Sequence, residues 1–376
     1  MTHTVVIAPD SFKGTIGAAA AADALGAGWR RERPHDRVRL MPMADGGEGT
    51  VDAFAAAVPG ARRMRVTVTG PEGTPVEASW VLLPPSADAP NGTGVVELAN
   101  TSGIELLGTP PRLRPFDAHT RGFGEGIAAA LAHGVSRLVL GIGSSSSTDG
   151  GAGLLAVLGA RITDASGAPI ADGARGLATA SSADLSGLAP LPPHGVTVLS
   201  DVTNPLLGAR GAAAVFGPQK GASPDDVAGL DAALSRLAGL DAFATIDPET
   251  PGAGAAGGTG FGLLAWGAEL VPGSAAVAEL VGLDAAVAAA SVVVTGEGSY
   301  DGQSAAGKVP AHVAAVARAV GAPVALVAGR IAADADVSGF AATASLTDLA
   351  GSGEAAMADA AHWLERAGAA LAGSLT

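Results

Sequence analysis

The chain has no cysteine, which excludes disulfides, thiolate metal sites and cysteine nucleophiles and fits a reducing compartment. Aromatic residues make up only 3%, so a core must be filled by Val, Leu, Ile and Ala rather than by large rings. Basic residues are outnumbered 36 to 22 by acidic ones, giving a formal charge of −14, and no run of Lys or Arg is long enough to track a phosphate backbone. A chain of that sign repels phosphate backbones, so neither nucleic acid nor an anionic membrane surface is an expected partner. Long apolar runs are missing as well. The longest segment free of charge and histidine, 250–268, is interrupted by glycines and reads as a glycine-rich loop entering a short helix. The apolar start at Val5, Val6 and Ile7 is too short for the hydrophobic stretch of a secretion signal, so the expected location is cytoplasmic.

What is present points to a layered α/β protein. With 376 residues the chain exceeds the ~250–300 at which one core stops growing, which predicts two domains. Hydrophobic residues at 48% supply packed cores, and 55 glycines imply many tight turns and close backbone approaches. A β-branched run over 4–8, an alanine-rich helix over 16–30, a strand over 38–43 and a helix over 51–57 open the chain in β-α-β style. The far end repeats that grammar: strand 291–295, loop 296–307, helix 308–320, strands 323–327 and 342–346, and a last helix near 354–371. Five strands alternating with helices predict a doubly wound parallel sheet built from both chain ends, 1–62 and 288–376. Between them, closely spaced strands at 64–69, 76–83 and 94–98 have no intervening helix. They predict an inserted mixed α/β domain over 63–287, with helix 121–133 and strands 137–142 and 196–200 returning to α/β style. A cleft between two such domains is the expected ligand site.

Polar, glycine-rich clusters follow strands five times. They begin at Asp10, Asp45, Gly143, Asp201 and Gly296. Each alone is equally a helix N-cap, but five together favour a site at the carboxyl ends of parallel strands. The serine-rich loop carrying Ser144, Ser145, Ser146, Gly150 and Gly151 is a candidate phosphate cradle, because glycines admit a phosphate and hydroxyls and amides hydrogen-bond it; a solvated turn is the rival. The segment 302–309 matches a P-loop except that Val309 stands where magnesium would need Ser or Thr, which leaves Lys308 to neutralise phosphate at a helix start or to be ordinary surface charge. The segment 252–257 has the letters of a dinucleotide fingerprint without the strand before it, and the seven histidines show no metal-binding spacing. Of Asp45, Glu48, Asp149, Asp201, Glu297 and Asp301, two or three suit magnesium through oxygen ligands, the rest being caps or turn formers. Lysine is the scarcest charge: Arg accounts for nineteen of the 22 basic residues, leaving Lys13, Lys220 and Lys308, each inside a glycine-rich motif.

Eight stretches, in one order, resemble the type-1 glycerate kinase family over nearly the full length: APDSFKGT (8–15), PMADGGEGT (42–50), ELANTSGI (97–104), GIGSSSSTDGGAG (141–153), SDVTNPLLG (200–208), GAAAVFGPQKGAS (211–223), GTGFGLLA (258–265) and TGEGSYDGQSAAGKVP (295–310). The run Ser144–Ser147 and Arg121 depart from the family's usual letters. The resemblance implies ATP-dependent, magnesium-requiring phosphorylation of D-glycerate to 2- or 3-phosphoglycerate, in two α/β domains of which one is flavodoxin-like. The resemblance does not assign the individual roles; the residues' own chemistry sets these expectations. Ser144, Ser145, Ser146, Gly150, Gly151 and Lys308 take the ATP phosphates; Asp149, Glu297 and Asp301 take Mg2+; Asp10, Ser11, Lys13 and Asp45 take glycerate. Asp201 is the expected base for the attacking hydroxyl. Lys220 is the lysine most readily explained as part of a structural turn. The rival readings are a kinase or phosphatase for another small hydroxy acid and a non-catalytic sugar-acid sensor, the latter disfavoured by the number of carboxylates placed at one sheet edge.

Overall fold

The computed structural model describes residues 3–302 and 308–375. In chain order its strands are β1 Thr4–Pro9, β2 Arg37–Leu40, β3 Arg62–Thr69, β4 Pro75–Leu83, β5 Thr93–Glu97, β6 Arg137–Gly141, β7 Arg161–Thr163, β8 Ser182–Asp184, β9 Val196–Leu199, β10 Glu269–Val271, β11 Val292–Tyr300, β12 Val324–Ile331 and β13 Ala342–Ser345. The fold is α/β, with one parallel sheet and a separate mixed sheet. The chain forms two compact units: Met1–Asp45, Asp52–Pro59 and Pro272–Thr376 make the first, Gly46–Val51 and Gly60–Val271 the second.

The first unit holds the parallel sheet, in the order β13-β12-β11-β1-β2. Numbered within the unit this is 2-1-3-4-5, the flavodoxin-like order, and the direction of winding reverses between β1 and β11. Its inner strands β1, β11 and β12 are largely buried and rich in Val, Ile and Ala, as parallel strands covered by helices must be, while the edge strands β2 and β13 are partly exposed. The helices Ala18–Glu32 and Ala360–Ser374 lie against each other on one face, where Leu25, Trp29, Leu364 and Leu371 are buried with Val5, Ile7 and Val327. Gly28 permits that closeness, since a Cβ there would overlap the Glu365 carbonyl.

The second unit holds the mixed sheet, in the order β10-β9-β6-β5-β4-β3. The pairs β10–β9, β9–β6 and β6–β5 are parallel, while β5–β4 and β4–β3 are antiparallel, so the closely spaced strands without helices form the antiparallel edge. One apolar cluster fills the unit, running from Trp80 and Val96 through Leu138, Leu140 and Val198 to Leu234, Phe243 and Phe261. Parallel strands in simple succession place the loops after β5, β6 and β9 at one end of the sheet.

The structure corrects several expected boundaries. β11 runs on to Tyr300 where a loop was expected from residue 296, because Gly296, Glu297, Ser299 and Tyr300 stay in parallel register with β12. The last helix is broken: Gly353–Ala358 ends at Asp359, whose side chain then accepts from His362 N to start Ala360–Ser374. The short pairs β7–β8 and β9–β10 had no sequence counterpart. The P-loop-like segment falls largely outside the described residues, at 303–307.

Candidate active site

In the second unit the serine-rich loop leaves β6 and is folded tightly on itself. Ser144 takes a left-handed conformation, φ 56°, which a non-glycine residue adopts at a cost and only where neighbours enforce it. Its carbonyl accepts from Ile104 N at 2.9 Å, and Ser146 gives its hydroxyl to the Ser102 carbonyl at 2.7 Å. Asp149 is fully buried, and its carboxylate accepts from Thr120 N (2.9 Å), Thr120 Oγ1 (2.8 Å), Gly151 N (3.2 Å) and Gly153 N (3.3 Å). Four donors on one buried carboxylate fasten the far end of the loop to the start of the helix Arg121–His133. The geometry gives Asp149 an anchoring role, and a magnesium contact there would have to displace these bonds.

The second wall of this site is the glycine-rich loop before Phe261. Ala256, Gly257 and Gly258 have φ of 54°, 69° and 85°, so the helix spanning Ala255–Trp266 is kinked at its start. The Gly257 carbonyl accepts from Gly150 N at 3.0 Å, and a Cβ on Gly257 would overlap the Ser147 carbonyl and stand 2.8 Å from Lys220 Nζ. Only glycine gives that clearance and that backbone. Of the dinucleotide-like lettering, Gly257 thus packs against the serine loop, while Gly252 and Gly254 pack against Leu270 and the Pro205 carbonyl.

Lys220 fills the space so made. It is 1% exposed, on a short turn after the helix Ala212–Phe216, and its Nζ donates to Ser145 Oγ at 2.7 Å and to the Ser147 carbonyl at 2.5 Å. Among the described residues, no carboxylate is found in an ion pair with it. Burial pushes its ammonium down from the usual lysine range to about 7, against the opposing pull of the Asp149 charge. Beside it, the hydroxyls of Ser147 and Thr148 are buried and, among the described residues, have no hydrogen-bond partner. A buried amine with spare hydroxyl donors next to it is an arrangement that favours an anion once the amine is protonated. The sequence offered one signal for Lys220, the scarcity of lysine and its confinement to motifs; its structural-turn reading gave no hint of the burial.

The expected phosphate-binding residues thus divide. Ser144 is half-buried and Ser145 is the hydroxyl that Lys220 touches. Ser146, Gly150 and Gly151 have their N–H groups committed within the protein, to Ser102 O, Gly257 O and Asp149 Oδ1. They shape the loop.

In the first unit the chemistry-bearing residues gather at the switch point of the sheet. Pro9 pairs with Gly296, and Asp10 N donates to the Gly296 carbonyl at 2.8 Å. The loop after β1 closes tightly, with Ser11 N on Asp10 Oδ1 at 2.6 Å and Thr15 Oγ1 on the Phe12 carbonyl, while Phe12 plugs the core at 2% exposure. Gly298 brings β11 against this loop: a Cβ there would stand 3.2 Å from Lys13 N. Asp10, Ser11 and Lys13 consequently adjoin the end of β11, which carries buried Glu297 and leads to half-buried Asp301. Asp45 is half-buried, its backbone against Gly273 at the start of the helix Gly273–Val281. Lys308 is half-buried at the N-cap of the helix Val309–Ala319. Asp201, in the second unit, is exposed just beyond β9.

Among the described residues no three His, Asp or Glu side chains converge as a metal cluster. Of the carboxylates expected to take magnesium, Glu297 lies in β11 and Asp301 follows its last residue, Tyr300; magnesium takes one or two carboxylates and keeps its other positions for water and phosphate oxygens. A pocket of about 150 Å³ behind the Asp149 anchor is lined by Arg121, Gly153, Arg161 and Asp172. Arg121 spends its fork there on Asp172, at 3.2 and 3.0 Å.

Comparison with known proteins agrees with this geometry. The family model described as the glycerate kinase family matches residues 5–376. The chain is 40% identical to the glycerate kinase of Bacillus subtilis (strain 168), covering 99% of this chain and 97% of that one. It is 43% identical to the glycerate 2-kinase of Escherichia coli (strain K12), covering 89% and 87%. The crystal structure of a putative glycerate kinase 2 from Salmonella typhimurium LT2 superposes with a TM-score of 0.83 at 39% identity, covering 100% of this chain and 98% of that one. The chain belongs to the glycerate kinase family and is a kinase.

Proposed function

We propose that this kinase transfers the γ-phosphoryl group of ATP to a hydroxyl of D-glycerate, giving phosphoglycerate and ADP. The observation that carries the reading is Lys220, a buried amine with no carboxylate ion pair among the described residues, held against a hydroxyl-rich loop at the carboxyl end of a parallel strand. Phosphoryl transfer asks a protein for positioning and charge neutralisation rather than covalent chemistry, and this is a site for both. The names of the relatives supply the acceptor, and the name of the Escherichia coli relative, glycerate 2-kinase, supports the 2-hydroxyl.

In this reading Ser144 and Ser145 present the serine loop to the phosphates, and Lys308 adds charge at a helix start. Asp10, Ser11 and Asp45 accept the glycerate hydroxyls while Lys13 meets its carboxylate. Asp201 takes the proton of the attacking hydroxyl, and its exposed position keeps it reachable. Glu297 and Asp301 hold magnesium, which when bound neutralises and orients phosphate oxygens. The test is a coupled ADP-release assay with D-glycerate, tartronate, lactate and glycerol as acceptors. Release should require D-glycerate, ATP and magnesium together; equal release with and without glycerate refutes the reading.

A further inference from the structure

Lys220 is a larger problem for the fold than its two hydrogen bonds solve. A buried ammonium has three donors, and here only Ser145 Oγ and the Ser147 carbonyl receive them. Its surroundings hold one ionisable group: Asp149 on the serine loop, whose carboxylate is occupied by Thr120, Gly151 and Gly153. The glycine loop 252–258 and the helix Ala212–Phe216 bring none. Glu72 pairs with both Arg112 and Arg114, which flank Leu113, the residue on which the Lys220 turn packs at Gly221. A neutral amine, with two donors for two acceptors, satisfies this pocket; an ammonium satisfies it only once an anion arrives to share the third. The unpartnered hydroxyls of Ser147 and Thr148 supply the remaining donors for that anion.

We propose that Lys220 is the charge-adjusting positioning residue of the serine loop: its amine rests neutral while the loop is empty and takes up a proton as the phosphates of the nucleotide settle there. Nucleotide binding is then coupled to proton uptake, and Lys220 acts through Ser145 and Ser147, which it holds in place. The inference rests on the reading of this loop as the nucleotide phosphate site. It explains why a lysine occupies this position in a chain that otherwise uses arginine, since a guanidinium stays charged when buried and could not rest neutral. The depressed ammonium, near 7, agrees with the geometry.

The test is titration calorimetry of magnesium–ATP into the full-length protein, in pairs of buffers that differ in ionisation enthalpy. At pH 8 the nucleotide carries no proton to exchange, and the wild type should take up close to one proton per nucleotide, falling towards zero at pH 5.5, where the amine is already charged. Lys220→Met and Lys220→Arg should both bind without proton uptake at pH 8, the first weakly and the second with an affinity independent of pH between 6 and 9. If the variants fail to fold, the wild-type pH series decides alone. Binding with the same heat in every buffer at pH 8 overturns the inference and leaves the kinase reading standing. An absence of magnesium–ATP binding in the wild type overturns both.

Discussion

Replacing Asp149 by Ala separates an anchor from a metal ligand. The side chain is fully buried and accepts four hydrogen bonds, three of them from backbone N–H groups at Thr120, Gly151 and Gly153. Alanine leaves those three donors without an acceptor, at about 1–3 kcal/mol each before relaxation. Allowing for partial rearrangement, the loss should fall near 3–5 kcal/mol, the range seen when a buried charged network is broken. For a unit of this size that lowers Tm by about 10 °C. Melting in the absence of nucleotide and magnesium isolates the effect, because a residue needed only to hold an ion contributes nothing there. Asp149→Asn should lie between wild type and Asp149→Ala, since an amide retains one oxygen but turns an N–H towards one of the donors. A Tm within about 1 °C of wild type for Asp149→Ala, together with lost magnesium dependence, would refute the anchor and restore the metal role.

Other expectations follow from the same contacts. Gly257→Ala combines a left-handed backbone with overlap on the Ser147 carbonyl, so it should destabilise by about 2–5 kcal/mol in chemical unfolding and abolish turnover. Lys13→Arg and Lys308→Arg should each lower kcat/KM at least about tenfold, near 1.4 kcal/mol of transition-state stabilisation, with Tm within a few degrees of wild type. Stability should also register the Lys220 amine. Its folded value lies near 7 and its unfolded value higher, so between these limits the unfolded chain binds the extra proton and stability rises with pH, by at most about 1.4 kcal/mol per unit. Lys220→Met should lack that component, so the difference between the two proteins in urea unfolding should change between pH 7 and 10; a constant difference contradicts the depressed amine.

Much of the fold was legible because its periodicities are strong. The helix expected over 121–133 is the helix found, Arg121–His133, closed by Gly134 in the left-handed region. The helix-free strands 64–69, 76–83 and 94–98 are the antiparallel edge β3, β4 and β5. Glycine misled where it served close approach rather than a turn: Gly296 and Gly298 read as the start of a loop, yet β11 continues through them because β12 and the loop after β1 pack on their bare backbone. The break at Asp359 had no Pro or Gly to announce it; the cap that restarts the helix comes from the side chain itself. At the site, the motif positions were visible but the partners were not. That Ser146 faces Ser102, that Asp149 faces Thr120, and that Lys220 faces Ser145 depend on pairings 44, 29 and 75 residues apart, which local letters do not encode.

The central claim is that a phosphoryl group passes from ATP to glycerate. Phosphorus NMR of a reaction containing the enzyme, magnesium–ATP and D-glycerate reads that transfer at the level of the bond formed. The account predicts a new phosphate monoester resonance, split by the single proton on C2 of the acceptor and growing in step with ADP. Inorganic phosphate growing in its place, with no ester resonance, would contradict the account.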